Sequence, residues 1–452
     1  MRANGQIESN IEWIGLIPST WKTSKLGFVA TVKARLGWKG LKAEEYIENE
    51  DGYVFLSTPN IKGCDIDFEV VNYITEHRYL ESPEIMLQAG DVLVAKDGST
   101  LGICNVVRQL PRPSTVNSSI AVLRPRPQCQ SVYLYYYFQS HTCQSTIQRM
   151  KDGMGVPHLF QADLRKFGLL LPPIEEQRAI ADYLDLKTAE IDALIAGKRR
   201  MIDLLHEKRQ ALISEAVTKG LDPDVPMKDS GFPWLGEVPA HWPVERLRWR
   251  LRSIGQGWSP QCESRKAEPG EWGVLKVGCM NSGVFDESEN KALPPELDPL
   301  PDLEVRIGDV LMSRSNTVDL VGAVGMVHQT QGQILLCDKL YRLDFNQSML
   351  LSSYSVHLLR SRAARLQIER DATGASSSMK NISNEVVANM VFAFPSIEEQ
   401  RCINEFIDHE LLRMGDLERT ISTQINRLLE YRRTLISATV TGKLVVPMEV
   451  AP

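Results

Sequence analysis

Two long stretches of this chain are variants of one another. Residues 174–220 read IEEQRAIADYLDLKTAEIDALIAGKRRMIDLLHEKRQALISEAVTKG, and residues 397–443 read IEEQRCINEFIDHELLRMGDLERTISTQINRLLEYRRTLISATVTGK. At this spacing of 223 positions the stretches are identical at 17 of 47 residues, whereas chance would give about three. The chain therefore contains an internal duplication.

Both stretches have the signals of a long α-helix. A proline precedes each of them, and two glutamates lie in the first turn, where the helix dipole favours negative charge. Lys219-Gly220 and Gly442-Lys443 are typical of the opposite end. A helix of about 40 residues is roughly 60 Å long, far longer than an ordinary core helix.

Apolar residues recur every seventh position in both stretches and indicate a coiled coil. A coiled-coil seam has a second apolar position in each heptad, which we call the companion position. We place it three residues after members of the seven-residue series, at Leu194, Met201, Leu417, Gln424 and Tyr431. The alternative is two separate amphipathic helices, each packed on its own globular body. The seven-residue series is Leu184, Ile191, Lys198, Leu205 and Leu212, repeated as Ile407, Met414, Ile421, Leu428 and Leu435.

The segments before each long helix are also related. Trp13-Ile-Gly-Leu-Ile-Pro-Ser-Thr-Trp21 returns as Trp234-Leu-Gly-Glu-Val-Pro-Ala-His-Trp242, and Gly90-Asp-Val-Leu93 returns as Gly308-Asp-Val-Leu311. We expect the framing tryptophans to be core anchors rather than surfaces for stacking bases. Short β-rich runs predict strands at residues 53–57, 92–95, 120–123, 274–277, 310–313 and 340–345, with helical stretches at 131–148 and 349–370.

These patterns predict an α+β protein with two mixed α/β domains joined by two long helices. The second helix returns most simply antiparallel to the first, which gives an internal pseudo-twofold axis and one globular body near each end of the pair. The expected divisions are residues 1–172, the first domain; 173–220, the central helix; 221–395, a linker and the second domain; 396–443, the C-terminal helix; and 444–452, a tail.

Composition narrows the class of protein. No apolar run is long enough to cross a bilayer and the N-terminus lacks the apolar core of a signal peptide, so we expect a cytoplasmic protein. The eight cysteines are scattered singly, which favours reduced thiols and predicts no metal site. The net charge is −6, with 18 basic and 17 acidic residues in 1–172 and 17 and 19 in 231–395. Any contact with phosphates must therefore come from local basic patches.

The motifs together resemble the specificity subunit of type I restriction–modification enzymes. The resemblance covers nearly the whole chain and rests on the I-P-x-x-W opening, the G-D-V-L turn, the E-Q-R helix start (Glu176–Arg178 and Glu399–Arg401) and the helix endings at 212–220 and 435–442. The loops before E-Q-R differ: Gly155-Val-Pro-His158 in the first copy and Ser378-Met-Lys-Asn381 in the second. The two copies are thus not expected to use this loop alike.

The resemblance implies two target-recognition domains that read an asymmetric, split sequence in double-stranded DNA, one half-site each. It also implies docking of methylation subunits, two in number, on the coiled coil, and of restriction or translocase subunits in the larger complex. S-adenosylmethionine, ATP and Mg²⁺ are expected on those partners and no cofactor or metal on this chain. An internal twofold matches the local symmetry of duplex DNA, which dimeric readers exploit with equivalent elements one turn apart.

Candidate DNA contacts lie in the turns after the two G-D-V-L strands and in one later loop. Basic, amide and hydroxyl side chains suit base edges, since arginine reads guanine and asparagine reads adenine; each turn is otherwise an ordinary solvated turn. Arg246, Arg248, Arg250 and Arg252 alternate, which suits either a row of phosphate contacts or a surface strand with salt bridges. The candidate contacts are Lys96, Ser99, Arg314, Asn316, Lys380 and Asn381, with Lys198, Arg199 and Arg200 in the middle of the helix as phosphate contacts or a solvated face.

The helices also carry apolar residues beyond a two-helix seam. Ile195, Ile202, Leu204, Ile425 and Leu429 are expected either to bind partner subunits or to pack on the chain's own bodies. No catalytic residue is predicted, because the chain lacks a phosphate-binding loop and the methyltransferase tetrapeptide. Glu289-Asn-Lys291, with Asp286 nearby, has nuclease-like spacing but lacks an adjoining predicted strand. The competing functions are a coiled-coil adaptor that binds only proteins and a self-sufficient nuclease.

Overall fold

The computed structural model describes residues 5–11, 14–35, 41, 45–48, 52–150, 158–376 and 379–447. The chain divides into two compact units, Met1–Lys198 with Ser422–Pro452 (unit 1) and Arg199–Ile421 (unit 2), so each unit contains part of both long helices. No helix among the described residues is long and apolar enough to cross a membrane.

Unit 1 contains the first copy of the duplicated body. Its strands are β1 (Gln6–Glu8), β2 (Leu16–Pro18), β3 (Lys22–Lys25), β4 (Ala30–Lys33), β5 (Tyr53–Leu56), β6 (Asn72–Ile74), β7 (Val92–Ala95), β8 (Cys104–Val106), β9 (Ser114–Val116), β10 (Ile120–Pro125) and β11 (Gly168–Leu171). Its helices are α1 (Leu26–Val29), α2 (Glu76–Leu80), α3 (Ser131–Gln139), α4 (His141–Met150), α5 (Gln161–Lys166), the first part of α6 (Ile174–Lys219) and the last part of α10 (Ile397–Val440).

Unit 2 contains the second copy. Its strands are β12 (Met227–Asp229), β13 (Glu237–Pro239), β14 (Val244–Arg246), β15 (Leu251–Gln256), β16 (Gly273–Leu275), β17 (Asn290–Ala292), β18 (Val310–Ser313), β19 (Ser315–Asn316), β20 (Val324–Met326), β21 (Ile334–Leu335), β22 (Leu340–Phe345), β23 (Thr373–Ser376), β24 (Met379–Asn381) and β25 (Val391–Ala393). Its helices are the last part of α6, α7 (Ser352–Arg360), α8 (Arg362–Asp371), α9 (Asn384–Asn389) and the first part of α10.

The duplication extends to the order of strands in the sheets. Unit 1 has a four-stranded antiparallel sheet of order β4-β10-β7-β8, and unit 2 repeats it as β15-β22-β18-β20. A three-stranded sheet with one parallel pair also occurs in both, as β6-β5-β9 and as β17-β16-β21. This confirms the prediction of a mixed α/β body in each copy.

Each predicted helical stretch in the bodies is divided in two by a serine. The hydroxyl of Ser140 donates to the carbonyl oxygen of Tyr137 over 2.6 Å, and that of Ser361 donates to Leu358 over 2.7 Å. The hydroxyl oxygens of these two serines also accept hydrogen bonds from backbone N–H groups of the next helix, those of Cys143 and Ala364 respectively. A serine that bonds the backbone in this way ends one helix and caps the next.

The long helices run antiparallel. In unit 1, Arg432 of α10 lies 2.9 Å from Asp192 of α6, and Lys198 Nζ donates to Gln424 Oε1 over 2.6 Å. In unit 2, His206 Nε2 lies 3.2 Å from Glu418 Oε1. Within unit 1 the residue numbers rise along one helix as they fall along its neighbour, which confirms the predicted antiparallel pairing.

The seam between the helices differs from the predicted one at its companion positions. Leu184, Ile191, Ile407 and Ile421 are buried as the seven-residue series predicts. The companions three residues further on are wrong: Leu194, Met201, Leu417 and Tyr431 are 45–56% exposed. The buried companions lie four residues further on, at Thr188, Ile195 and Ile425. A coiled-coil seam alternates spacings of three and four, so the same heptad admits both registers until packing selects one.

A buried glutamine attaches the start of each long helix to its body. Gln177 is fully buried; its amide donates to the carbonyl oxygens of Gln128 and Pro172, and its Oε1 accepts from the N–H of Gln130. In unit 2, Gln400 is also fully buried and bonds equivalent backbone groups, those of Met349, Pro395 and Leu351. The glutamine of the E-Q-R motif thus satisfies three backbone groups of the body that precedes it, including the buried carbonyl oxygen of Pro172 or Pro395.

The glutamate of the same motif bonds a buried tryptophan. Trp21 Nε1 donates to Glu176 over 2.9 Å, and Trp242 Nε1 donates to Glu399 over 3.1 Å. Each indole is 1–2% exposed, which makes these tryptophans core anchors. Trp234 is half-buried and lies beneath the Arg370 guanidinium, 4.5 Å from the ring centre. Trp13 lies outside the described residues.

Each of these two buried tryptophans also contacts the end of the other long helix. Gly220 and Gly442 end α6 and α10 with φ of +78° and +72°, a backbone conformation that favours glycine. A Cβ atom at Gly442 would lie 2.5 Å from Pro18 and 3.4 Å from Trp21, and one at Gly220 would lie 3.3 Å from Trp242. The I-P-x-x-W motif, the E-Q-R start and the terminal glycine therefore meet at one place in each unit.

We predict that Gln400→Ala destabilises the protein strongly. The substitution removes the partner of the Leu351 N–H and of the buried Pro395 carbonyl oxygen, at a cost of about 1–3 kcal/mol for each unsatisfied group. The Met349 carbonyl oxygen keeps a second donor, Arg250. The change is measured as the free energy of unfolding in urea. The control is Gln210→Ala on an exposed face of α6, which should change the free energy by less than about 0.5 kcal/mol. Equal, small effects of both variants would contradict the assigned role.

The contact between Glu399 and Trp242 predicts a pH dependence. Burial raises the pKa of Glu399, but hydrogen bonds from His241, Ser396 and Trp242 outweigh it and lower the pKa to about 2, from an ordinary value of 4.5. Because the folded pKa is depressed, the stabilisation is complete above pH 4.5 and is lost as the pH falls towards 2. The urea midpoint of Glu399→Gln should consequently fall less steeply than that of the unmodified chain over this interval. Parallel curves would contradict the prediction.

Candidate nucleic-acid interface

In unit 2 the turn after G-D-V-L and the later candidate loop form one small sheet. Strand β19, which follows β18, pairs with β24, so that Ser315 is opposite Asn381 and Asn316 is opposite Lys380. The N–H of Ile382 donates to the carbonyl oxygen of Arg314 over 2.9 Å and extends this pairing. Candidate residues from two distant parts of the sequence are thereby brought together.

Two further hydrogen bonds fix the basic side chains of this sheet. Lys380 Nζ donates to the carbonyl oxygen of Gly374 over 2.9 Å and holds the end of the loop. The guanidinium of Arg314 donates to the carbonyl oxygen of Asp338 over 3.3 Å. The structure therefore brings the four candidate residues of unit 2 into one site, which we call turn site 2: Arg314, Asn316, Lys380 and Asn381.

Unit 1 has the same arrangement with different side chains. Asp97 pairs with His158 in an isolated antiparallel bridge, and the N–H of Leu159 donates to the carbonyl oxygen of Lys96 over 2.8 Å. The side chains of Asp97 and His158 are hydrogen-bonded, and Lys96 Nζ lies 3.0 Å from Asp97 Oδ2. We call this cluster turn site 1; with the exposed Ser99 it consists of Lys96, Asp97, Ser99 and His158.

The two turn sites differ in backbone as well as in sequence. In unit 1 the residues after Asp97 form a short 3-10 turn, Gly98–Thr100, in which Gly98 has a φ of +67°. In unit 2 the equivalent residues are 316–318, and the first of them, Asn316, belongs to strand β19. One frame therefore presents two different surfaces, which suits recognition of two different targets. Of the unlike loops before E-Q-R, residues 155–157 and 378 lie outside the described residues.

Asn316 has a structural role in turn site 2. Its side chain is 7% exposed; its Nδ2 donates to Asn281 over 3.0 Å, and its Oδ1 accepts from the N–H of Thr317 over 2.9 Å. With its amide engaged inside the fold, Asn316 is not presented to a base edge in this conformation. The neighbouring Thr317 and Val318 are exposed instead.

The basic residues in the middle of α6 divide in a similar way. Lys198 is half-buried and its ammonium is bonded to Gln424 of α10. Arg199 is exposed, and Arg200 lies 3.5 Å from Glu207 in a solvent-exposed pair. Exposed pairs of this kind contribute little stability and leave the guanidinium available to another anion.

The predicted partner-binding residues require a correction. Ile195 and Ile425, both in unit 1, are 4% and 9% exposed and belong to the seam between the helices, because the buried companions lie four residues after the series. They are therefore not available to a partner. Ile202 and Leu429 are half-buried, whereas Leu204 is 47% exposed.

The alternating arginines of the second body lie on more than one element. The four arginines at 246–252 do not alternate along one strand, because a 3-10 turn, Leu247–Trp249, separates β14 from β15. Arg250 turns inwards, pairing with Glu245 over 2.8 Å and lying 4.7 Å from the centre of the Phe394 ring. Its guanidinium therefore belongs to the body and not to an outer row.

The Glu289-Asn-Lys291 triplet does adjoin a strand, contrary to expectation, since Asn290–Ala292 forms β17. Glu289 lies 3.7 Å from Lys276, and Asp286 accepts from the N–H of Ser288. Within the described ranges, no group of three or more histidine, cysteine, aspartate or glutamate side chains could hold a metal ion.

His158 and Asp97 were not among the residues predicted for a site. The signal was present, because the shift of 223 that relates the long helices also relates His158 to Asn381, and the shift of 218 relates Asp97 to Ser315. Applying both shifts together would have found the pair. Nothing in the sequence indicated that Asp97 and His158, which are 61 positions apart, are hydrogen-bonded to each other.

A family model and two relatives of this chain all name the same class of protein. The family model described as the type I restriction modification DNA specificity domain matches residues 18–202. The EcoKI specificity subunit of Escherichia coli is 22% identical over 440 residues, which cover 95% of this chain and 90% of the relative. The MjaVIII specificity subunit of Methanocaldococcus jannaschii is 22% identical over 439 residues, with 95% and 94% covered.

Solved structures show the same fold. A chain from a study of complex assembly and conformational transition of the type I R-M system is similar over 95% of this chain and 99% of its own length, with a TM-score of 0.69 and 17% identity. The HsdS subunit from Thermoanaerobacter tengcongensis has a TM-score of 0.50 and 17% identity, with 95% and 98% covered.

The duplicated body, the long helix pair and these relatives define a DNA-specificity protein. Its similarity to specificity subunits of type I restriction–modification enzymes extends over nearly the whole chain, and residues 18–202 match the DNA specificity domain of that family. Specificity subunits are non-catalytic components of their complexes, and these matches confirm the resemblance seen in the sequence.

Proposed function

We propose that the chain reads a split, asymmetric DNA sequence, one half with each turn site. The observation that carries the proposal is the pair of equivalent turn sites with different chemistry. Lys96, Asp97 and His158 in unit 1 are replaced by Arg314, Ser315 and Asn381 in unit 2. Charged and amide groups at a strand end suit the edges of bases in the major groove, and unlike groups select unlike bases.

The chain is further proposed to bind methylation subunits, two in number, through its helix pair, with restriction or translocase subunits joining the larger complex. Large apolar side chains on these helices support a docking role. In unit 1, Leu194 and Tyr431 are each 56% exposed, and in unit 2, Met201 and Leu417 are 47% and 45% exposed. Exposed apolar residues at regular positions on a helix are typical of a surface covered by another protein.

The chemistry of methylation and cleavage is assigned to those partners. In this proposal S-adenosylmethionine, ATP and Mg²⁺ bind the partner subunits, and the complex acts on DNA in the cytoplasm. This chain contributes the choice of sequence and the positions at which partners assemble.

The proposal predicts the result of mapping methylated adenines in host DNA with and without the gene. Methylation at one split sequence should require the gene. His158→Ala should relax the sequence requirement in one half only, and Asn381→Ala in the other half only. The loss of discrimination should be about tenfold, as for one good base contact.

The matched control is Val284→Ala, which removes an exposed side chain of unit 2 outside turn site 2. It should leave both halves of the methylated sequence unchanged. Methylation that does not depend on the gene, or a variant that alters both halves equally, would contradict the proposal.

A further inference from the structure

Each unit carries an exposed aromatic side chain at the same position of the repeat. Phe28 in unit 1 is 71% exposed and Trp249 in unit 2 is 66% exposed. The two residues are 221 positions apart, which is the shift that relates Trp21 to Trp242. Large aromatic side chains are ordinarily buried in a core. The exposure of Phe28 and Trp249 at the same position in both copies therefore suggests that a ligand covers them.

Basic residues lie near both aromatic side chains. In unit 1, Phe28, Lys25 and Lys166 line one open cavity of about 650 Å³, together with hydroxyl groups and with Asp163. Arg165 is adjacent, since a Cβ atom at Gly27 would lie 3.2 Å from the Cβ of Arg165. Lys166 and Asp163 are 3.5 Å apart in an exposed pair, which is weak.

In unit 2 the cations are arginines. Arg246 and Arg248 flank Trp249 in the 3-10 turn, and both donate to Asn389 Oδ1 at the end of α9. Both side chains are exposed, and the nearby Glu245 is already paired with Arg250. We refer to Phe28 with Lys25, Arg165 and Lys166, and to Trp249 with Arg246 and Arg248, as the aromatic patches.

A short helix connects each aromatic patch to the turn site of its own unit. In unit 1, α5 begins after Phe160, whose ring lies 4.4 Å from that of His158, and ends at Lys166. In unit 2, α9 begins shortly after Ile382 and ends at Asn389. Six helical residues span roughly 9 Å, which corresponds to two or three base steps at about 3.4 Å each.

We propose that the aromatic patches contact the sugar–phosphate backbone of the duplex beside each turn site, without reading sequence. Resting on the proposed function, this inference adds a second type of DNA contact. The turn sites differ between the copies, whereas the exposed aromatic residue recurs, and Lys25 corresponds to Arg246 at the same shift of 221. The remaining cations of the two patches come from different positions of the repeat. A feature common to both copies suits a ligand common to both half-sites. The bodies are otherwise nearly neutral, and clustered cations select a polyanion.

The test uses the complete complex with its methylation subunits and two duplexes, one containing the mapped methylation sequence and one with that sequence scrambled. Arg248→Gln should weaken binding to both duplexes by the same factor, about fivefold, and reduce the slope of log affinity against log salt by about 1. Trp249→Ala and Phe28→Ala should weaken both by a similar factor. Arg306→Gln, an exposed arginine before β18, is the charge-matched control and should leave the slope unchanged.

Three results would overturn the inference. An unchanged salt slope in Arg248→Gln would exclude a phosphate contact. A variant that weakens only the mapped duplex would make the patch a reader of sequence. Loss of complex assembly on gel filtration, with DNA binding otherwise intact, would make it a protein-docking surface. If the unmodified complex does not prefer the mapped duplex, the proposed function fails instead.

Discussion

The fold depends on the hydrogen bonds of one buried glutamine at the start of each long helix. Gln177 and Gln400 are fully buried and each bonds three backbone groups of the preceding body. A buried amide with every bond satisfied fixes direction as well as position, because moving it exposes several unsatisfied groups together. The direction in which each long helix leaves its body is set at this point.

The tryptophan and glycine contacts complete the same junction, since Trp21 and Trp242 each bond the start of one long helix and pack against the terminal glycine of the other. This explains why the I-P-x-x-W, E-Q-R and terminal glycine motifs occur in both copies, while the loops between them differ.

Much of the fold could be predicted because it is repeated and periodic. The duplication, the long helices and the antiparallel pairing followed from identities at a fixed shift and from the seven-residue series. The companion positions did not, since Leu194 and Ile195 are both apolar and only packing distinguishes the register that buries Ile195. Asn316 had the right chemistry for a base contact, but its burial depends on Asn281, which lies 35 residues away.

The candidate site was predictable in its parts and not in its assembly. The turn after G-D-V-L and the loop before E-Q-R were identified separately, and the backbone pairing of Ser315 with Asn381 joined them. Exposed residues such as Phe28 and Trp249 gave no signal in the sequence, because an aromatic residue in a mixed body is ordinarily assigned to the core.

Recognition of two separated pieces of DNA sequence by two unlike sites on one chain is open to a direct test. The measurement is footprinting of the mapped methylation site by the complete complex. We expect two protected blocks separated by an accessible spacer, with His158→Ala weakening protection in one block only. A single continuous block, or equal loss of both blocks in that variant, would show that the two sites do not act on separate half-sites.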